Sequence, residues 1–236
     1  MRRAFKLLFG ALVVVVLIAG GLTAWFVFGD RAPAKPKLSA CGQATTTGGP
    51  KTPNGRWHLA KDPHAYVGYR IKELFGDAVL KHEVVGRTPA VSGGLPVVGA
   101  RVTTAVVTAD VTKLASDRAA RDTYILDHGL ESDKFPTARF TLTKAIMPTG
   151  GATLGAAVHA TATGTLLLHG VSRPIAVTLT ACWNGPTIDV VGSAPIVLRD
   201  YGINAPQTVI ADVDRHGSIE VNLEFVPGAA TSPLNH

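Results

Sequence analysis

Between Trp57 and Val226 the chain alternates apolar and polar positions in run after run. In ARFTLTKAIM, Phe140, Leu142 and Ile146 fall on one face and Arg139, Thr141 and Thr143 on the other, the period of two of a strand with one wet side. In GSIEVNLEFV, Ile219, Val221, Leu223 and Phe225 oppose Glu220, Asn222 and Glu224. The same pattern predicts strands over 64–74, 100–111, 158–170, 173–183 and 187–199, with further ones at 57–60 and within 83–97. That makes about eight or nine strands, rich in the threonine and valine that fit a pleated surface. The joints HGVSRP, NGP and DRHG are turn signals, and short joints imply antiparallel neighbours.

One interval breaks the alternation. SDRAARDTYILDHGL has helix formers at its start, Ser116 as a cap and Gly129 as a stop, which predicts one helix inserted near residues 117–128. Strands this long with one apolar face favour closure into an all-β antiparallel barrel of about eight strands, because closure removes exposed edges. Many inward positions are small, such as Ala160, Ala162, Gly164 and Ala194. An eight-stranded barrel either fills its interior or holds one ligand, and small inward residues favour the cavity. The barrel domain is expected over residues 56–227.

What precedes it is different. Residues 1–6 are a basic leader, and Leu7 to Phe28 is an uncharged run of about 22 residues, enough as a helix for the roughly 30 Å of a bilayer's hydrocarbon. It is longer than a signal-peptide core and ends in Trp25, Phe26 and Phe28, so it reads as an uncleaved transmembrane anchor. Arg2, Arg3 and Lys6 keep the amino terminus in the cytoplasm, which puts the domain on the extracytoplasmic side of the cell membrane. Residues 29–55 have the composition of a flexible linker, and residues 228–236 that of a disordered tail.

The net charge of +6 does not signal nucleic acid. Residues 1–37 carry +5 of it, leaving the rest of the chain with 17 basic and 16 acidic groups and no basic face for a phosphate backbone. The two cysteines, Cys41 and Cys182, admit two states outside the cytoplasm, a disulfide or two free thiols. The alternation puts Cys182 on the outer face beside Thr178 and Thr180, within reach of the linker. Leu38-Ser39-Ala40-Cys41 resembles a lipobox, but charged residues separate it from the apolar run.

Chemistry-bearing motifs are few. HEVVG lacks the second histidine of a zinc HExxH site, and no GxSxG elbow, P-loop or GxGxxG occurs. The densest titratable stretch, RDTYILDHGLESDKFP, gathers Asp122, Asp127, His128, Glu131 and Asp133, but Asp127 and His128 point about 100° apart on a helix and do not converge on a metal. No metal or cofactor is expected. An enzyme acting on an isoprenoid or a small substrate through Asp127 and His128, or Arg199 and Asp200, is the alternative reading; it lacks a nucleophile, base and orienting group together.

Four blocks in order resemble the YceI-like family: GRWHLAKDPHAYVGYRIKE with VVGRTPAVSGGL; VTADVTKLASDRAARD leading through Arg121-Asp122 to Phe135-Pro136 and Phe140; GTLLLHGVSRPIAV with Gly164, Gly170 and Pro174; and RDYGIN at 199–204. Leu126 and Ile125 depart from the family pattern, standing where relatives often have a basic and an aromatic residue. The resemblance implies a lipocalin-like barrel that holds a long isoprenoid lipid, a quinone or polyprenyl lipid, in an apolar tunnel as carrier, store or sensor. The tunnel candidates are Phe140, Leu142, Leu166, Leu168, Ile175, Val177, Leu179, Ile188, Val190 and Ile196, with Arg199 and Asp200 as head-group candidates at the mouth.

Overall fold

A computed structural model describes residues 32–38, 41, 51–75, 80–148, 151–205 and 211–228. The predicted transmembrane run, residues 7–28, lies outside them, as does the tail beyond 228. The chain divides into two compact units, Met1–Pro33 and Ala34–His236, and the second carries every strand among the described residues.

Those strands are β1 (Gly55–Leu59), β2 (Tyr66–Phe75), β3 (Leu80–Thr88), β4 (Val91–Val97), β5 (Val106–Asp110), β6 (Thr137–Leu142), β7 (Ala157–Leu168), β8 (Val171–Trp183), β9 (Ile188–Val197) and β10 (Ala211–Pro227). All pairings are antiparallel, in the order β1-β4-β5-β6-β7-β8-β9-β10-β2-β3, and β1 also pairs with β10. That last contact closes the sheet. The long β10 runs beside β2 through Asn222 and then beside β1 from Phe225 to Pro227, so β1 and β2 act as one interrupted wall strand. β3 and β4 form the next, which gives a barrel with eight staves. The predicted strand within 83–97 is thus two, broken at Pro89, whose ring cannot donate to a ladder.

The inserted helix is shorter than its pattern. α1 (Ala119–Tyr124) passes into a π-helical turn, Ile125–Gly129, closed by Leu130 N–H donating to the Ile125 carbonyl at 2.7 Å. Asp122 fixes its start: its carboxylate accepts from Ser116 N–H at 2.9 Å and from the Ser116 hydroxyl at 2.6 Å. Phe135 then sets its ring edge-on to His169, 4.7 Å away, and against Gly170 in the β7–β8 turn.

Two apolar clusters occupy opposite ends of the barrel. One gathers Trp57, Trp183, Ile188, Val190, Leu223 and Phe225, where β8 ends and β9 begins. Its indole N–H groups are satisfied by backbone, Trp57 by the Pro53 carbonyl at 2.7 Å and Trp183 by that of Gly185 at 2.9 Å. The other, at the helix end, joins Leu166, Leu168, Ile196, Tyr201 and Ile203.

Part of the linker is attached to the wall. Arg87 Nη2 donates to the Ala34 carbonyl at 3.2 Å, and Cys41 is disulfide-bonded to Cys182, with Cα atoms 5.7 Å apart. Between β3 and β8 the outer face holds residues as buried as a core: Val85, the ion pair of Arg70 with Glu220, and Val191. The disulfide closes a sequence separation of 141, a constraint on the unfolded chain typically worth about 2–4 kcal/mol. Accordingly, the denatured, unreduced chain should show no free thiol, and Cys182→Ser should lower the urea midpoint of unfolding. Two thiols titrating before reduction would contradict this.

Candidate functional site

Strand register puts all ten tunnel candidates on one face. Phe140 is opposite Leu166, and Leu142 opposite Gly164, which also meets Ile175; Val177 meets Ala162, Leu179 meets Gly192, and Val190 meets Leu223. Ile188 and Trp183 pair on the same side at one end, and Ile196 and Leu168 pack together at the other. This is the face of Trp57, Val221 and Phe225, the inside of the barrel.

The candidates differ in burial. Leu142 is buried, and Leu166, Leu168, Ile188, Val190 and Ile196 are buried within the end clusters. Phe140, Ile175, Val177 and Leu179 are only half-buried, although a closed wall separates their face from bulk solvent. A close-packed interior would leave them almost no surface, so part of each faces open space, although Leu179 also packs against the tryptophan-end cluster and Ile175 against the helix-end one.

Glycines keep that space open. A Cβ at Gly164 would sit 2.5 Å from Phe140 Cζ, one at Gly192 would strike Leu179 Cδ2, and one at Gly86 would strike the Tyr69 ring. Each large side chain therefore lies flat along the wall over a glycine and does not project across the lumen. Alternation identifies these glycines as inward, but what they seat depends on a neighbouring strand that the local sequence does not name.

The helix end also has a polar wall. Tyr69, Ile71 and Glu73 of β2 share the inner face with Gly86, Val84 and His82 of β3, which are their register partners. From α1, Arg121 Nε reaches Glu73 Oε1 at 3.1 Å, with both side chains 11% exposed, and the same guanidinium pairs with Asp117. Arg121 is therefore not only a helix-surface partner of Asp117: it ties the helix to the barrel wall. Burial, reinforced by Asp122, pushes the Tyr69 phenol above its ordinary range, against the opposing pull of Arg121. The signal missed in the sequence was Glu73, a carboxylate at an inward position of an alternating strand.

The remaining titratable candidates are dispersed. Asp127 and His128 are exposed, and the His128 ring lies 4.9 Å from that of Tyr124. Glu131 bonds Lys134 at 2.6 Å and His169 at 3.1 Å, and these two, Lys134 foremost, hold its carboxyl below the usual range. His169 also bonds the Tyr201 carbonyl at 3.0 Å, joining the helix exit to the turn over 198–201. In that turn Arg199 and Asp200 are exposed, form no ion pair with each other among the described residues, and the Asp200 carbonyl accepts from Arg173 at 3.1 Å. Buried Tyr201 and Ile203 are what the RDYGIN block contributes to the interior. Among the described residues no three histidine, cysteine or carboxylate side chains are placed to share a metal ion.

Two substitutions check this arrangement. Gly164→Ala should cost about 1–3 kcal/mol through the added methyl meeting both the Thr141 carbonyl and the Phe140 ring, whereas the outward Thr161→Ala should stay within about 0.5 kcal/mol in the same urea titration. Arg121→Met should cost about 2–3 kcal/mol, less than the roughly 3–5 kcal/mol of a sealed pair because both side chains keep some water. Adding Glu73→Gln should restore part of that loss; a double variant no more stable than Arg121→Met would show that the pair does not tie helix to wall.

This geometry has known counterparts. The fold is similar to that of a polyisoprenoid binding domain from Saccharophagus degradans implicated in plant cell wall breakdown, with a TM-score of 0.58 and 17% identity over 73% of this chain and 98% of that one. It is also similar to that of Burkholderia cenocepacia BcnA, with a TM-score of 0.50 and 20% identity over 66% of this chain and 95% of that one. A search of curated proteins found no match. The family model for the YceI-like domain matches residues 57–225, from the Trp57 that seals one barrel end to the Phe225 that closes the wall beside it, and the chain belongs to that family.

Proposed function

We propose that this chain is a non-enzymatic binding protein that holds an isoprenoid-type lipid, a quinone or a polyprenyl lipid, inside its barrel as carrier, store or sensor. The observation that carries this reading is the inward face of β6–β9, where Phe140, Ile175, Val177 and Leu179 stay half-buried, with Phe140 and Leu179 folded over Gly164 and Gly192. A prenyl chain needs no catalytic group to be retained: each methylene it buries contributes about 0.8 kcal/mol. The neighbour from Saccharophagus degradans is described as a polyisoprenoid binding domain, which supports the same ligand class. A binding role, as opposed to catalysis, is favoured by the dispersal of the residues an enzyme would need, with Asp127, His128, Arg199 and Asp200 all exposed.

In the same proposal the domain is tethered to the extracytoplasmic face of the cell membrane by residues 7–28, whose composition fits a single span. The disulfide between Cys41 and Cys182 supports that side of the membrane, because such bonds persist in oxidising compartments. It also occupies the Cys41 thiol that a lipobox would lipidate.

Purification of the full-length chain in detergent from a lipid-containing host, followed by solvent extraction and mass spectrometry, should recover about one prenyl lipid per chain. Failure to recover any stoichiometric apolar ligand, together with no uptake of added polyprenyl lipid, would contradict the reading.

A further inference from the structure

The interior is not uniformly apolar: buried Thr88 faces Val67 near the tryptophan cluster, but the charged groups gather at the other end. Along β2 the inner face passes from Val67, beside the tryptophan cluster, to Tyr69 and Glu73, which meet β3 at Gly86 and His82 and are covered from α1 by Arg121. Opposite them, at the same end, stand the apolar residues Leu166, Leu168 and Ile196. A long amphiphile lying in the lumen therefore meets hydrogen-bonding groups at the helix end, and two tryptophans at the other.

The charges in this polar wall are largely committed. Arg121 serves Glu73 and Asp117 together, and Arg118 Nε lies 3.7 Å from Asp117. Asp122 adds a third carboxylate, satisfied by Ser116. Around Arg121 three carboxylates thus face two guanidiniums; a third guanidinium at this end, Arg173 beside Leu166, is exposed at the rim and donates to the Asp200 carbonyl. Burial is the main reason the Tyr69 phenol is raised, and Asp122, Glu73 and Asp117 add to it against the pull of Arg121. An added anion would find guanidiniums already neutralised and would be desolvated beside surplus negative charge. A neutral head is a different matter. Among the described residues the Tyr69 hydroxyl makes no hydrogen bond, and its ring is held flat over Gly86, which leaves a phenol donor for a carbonyl or hydroxyl.

We infer that the helix end of the barrel, through Tyr69, Glu73 and Arg121, selects isoprenoid lipids with an uncharged hydrogen-bonding head, a quinone ring or an alcohol, over those ending in phosphate. This rests on the lipid-binding reading above and narrows it. It places the head-group contact inside the barrel and away from the exposed Arg199 and Asp200.

The test is competition for a fluorescent prenyl probe on the delipidated full-length chain near pH 7, using a prenyl quinone, a polyprenol and a polyprenyl monophosphate of equal chain length. The quinone and alcohol should bind at least tenfold tighter than the phosphate. Glu73→Gln, which removes a counter-charge from Arg121 without changing side-chain size, should narrow that gap about tenfold. Tyr69→Phe should weaken the neutral ligands several-fold and leave the phosphate unmoved. Equal or tighter binding of the phosphate overturns this inference alone, as does an unchanged gap in both variants. Binding of none of the three overturns the lipid reading itself and this inference with it.

Discussion

Three residue pairs between β1 and β10, from Trp57 with Pro227 to Leu59 with Phe225, turn a long antiparallel sheet into a closed wall. Everything in the interior depends on that closure. An open sheet with the same alternation would need a second layer to cover its apolar face, and the large side chains would pack into that layer. Once the sheet closes, the apolar face has only itself to meet. Trp57, Trp183 and Phe225 fill one end, and Leu166, Leu168 and Tyr201 fill the other. Between them the wall uses Ala160, Ala162, Gly164 and Gly192, and folds Phe140 and Leu179 back over glycine. The result is a barrel sealed near its ends and relieved in its middle.

The closed wall needs fastening where its staves are interrupted. β2 pairs with β10 on one side and with β3 on the other, and among the described residues β3 has no strand on its far side; its end is bridged through Arg87 and Ala115, whose backbone groups bond mutually at 2.8 and 3.0 Å. The inserted helix supplies the second fastening through Arg121 and Glu73. On the outside, Arg70 and Glu220 are locked together beneath the surface, with Nε and Oε1 2.5 Å apart. The linker is attached at Ala34 and again at Cys41, points separated in the sheet by β2, β10 and β9. Seven residues can extend over roughly 23–25 Å, enough to cross four strand spacings of about 4.8 Å. A segment with the composition of a free tether is therefore stitched to the domain it precedes.

Local pattern made the strands legible, because a period of two needs only neighbouring residues. The runs at 158–170, 173–183 and 187–199 correspond to β7, β8 and β9 within two residues at each end. The run at 100–111 shrinks to Val106–Asp110, since Val102 leaves the β4–β5 ladder to make an isolated bridge with Ile146. The run at 217–226 begins earlier, at Ala211, with an irregularity between Val213 and Gly217 that interrupts the alternation. The inner face could be read from the same periodicity. What could not be read was set by topology. Glu73 and Arg121 are 48 residues apart, and nothing in either neighbourhood marks them as partners. Gly86 looks like any strand glycine until β2 lays Tyr69 across it. Arg199 and Asp200 drew notice as charges at the end of an apolar strand, whereas the turn they occupy serves to bury Tyr201 and Ile203.

The central claim is that the middle of the barrel is a lumen shaped for an extended apolar chain. A crystal structure of the full-length chain purified from a lipid-containing host tests it most directly. The account predicts continuous elongated density between the tryptophan end and the helix end, in contact with Phe140, Val177 and Leu179. An interior filled by those side chains turned inward and packed against one another, with no ligand density between them, would contradict it.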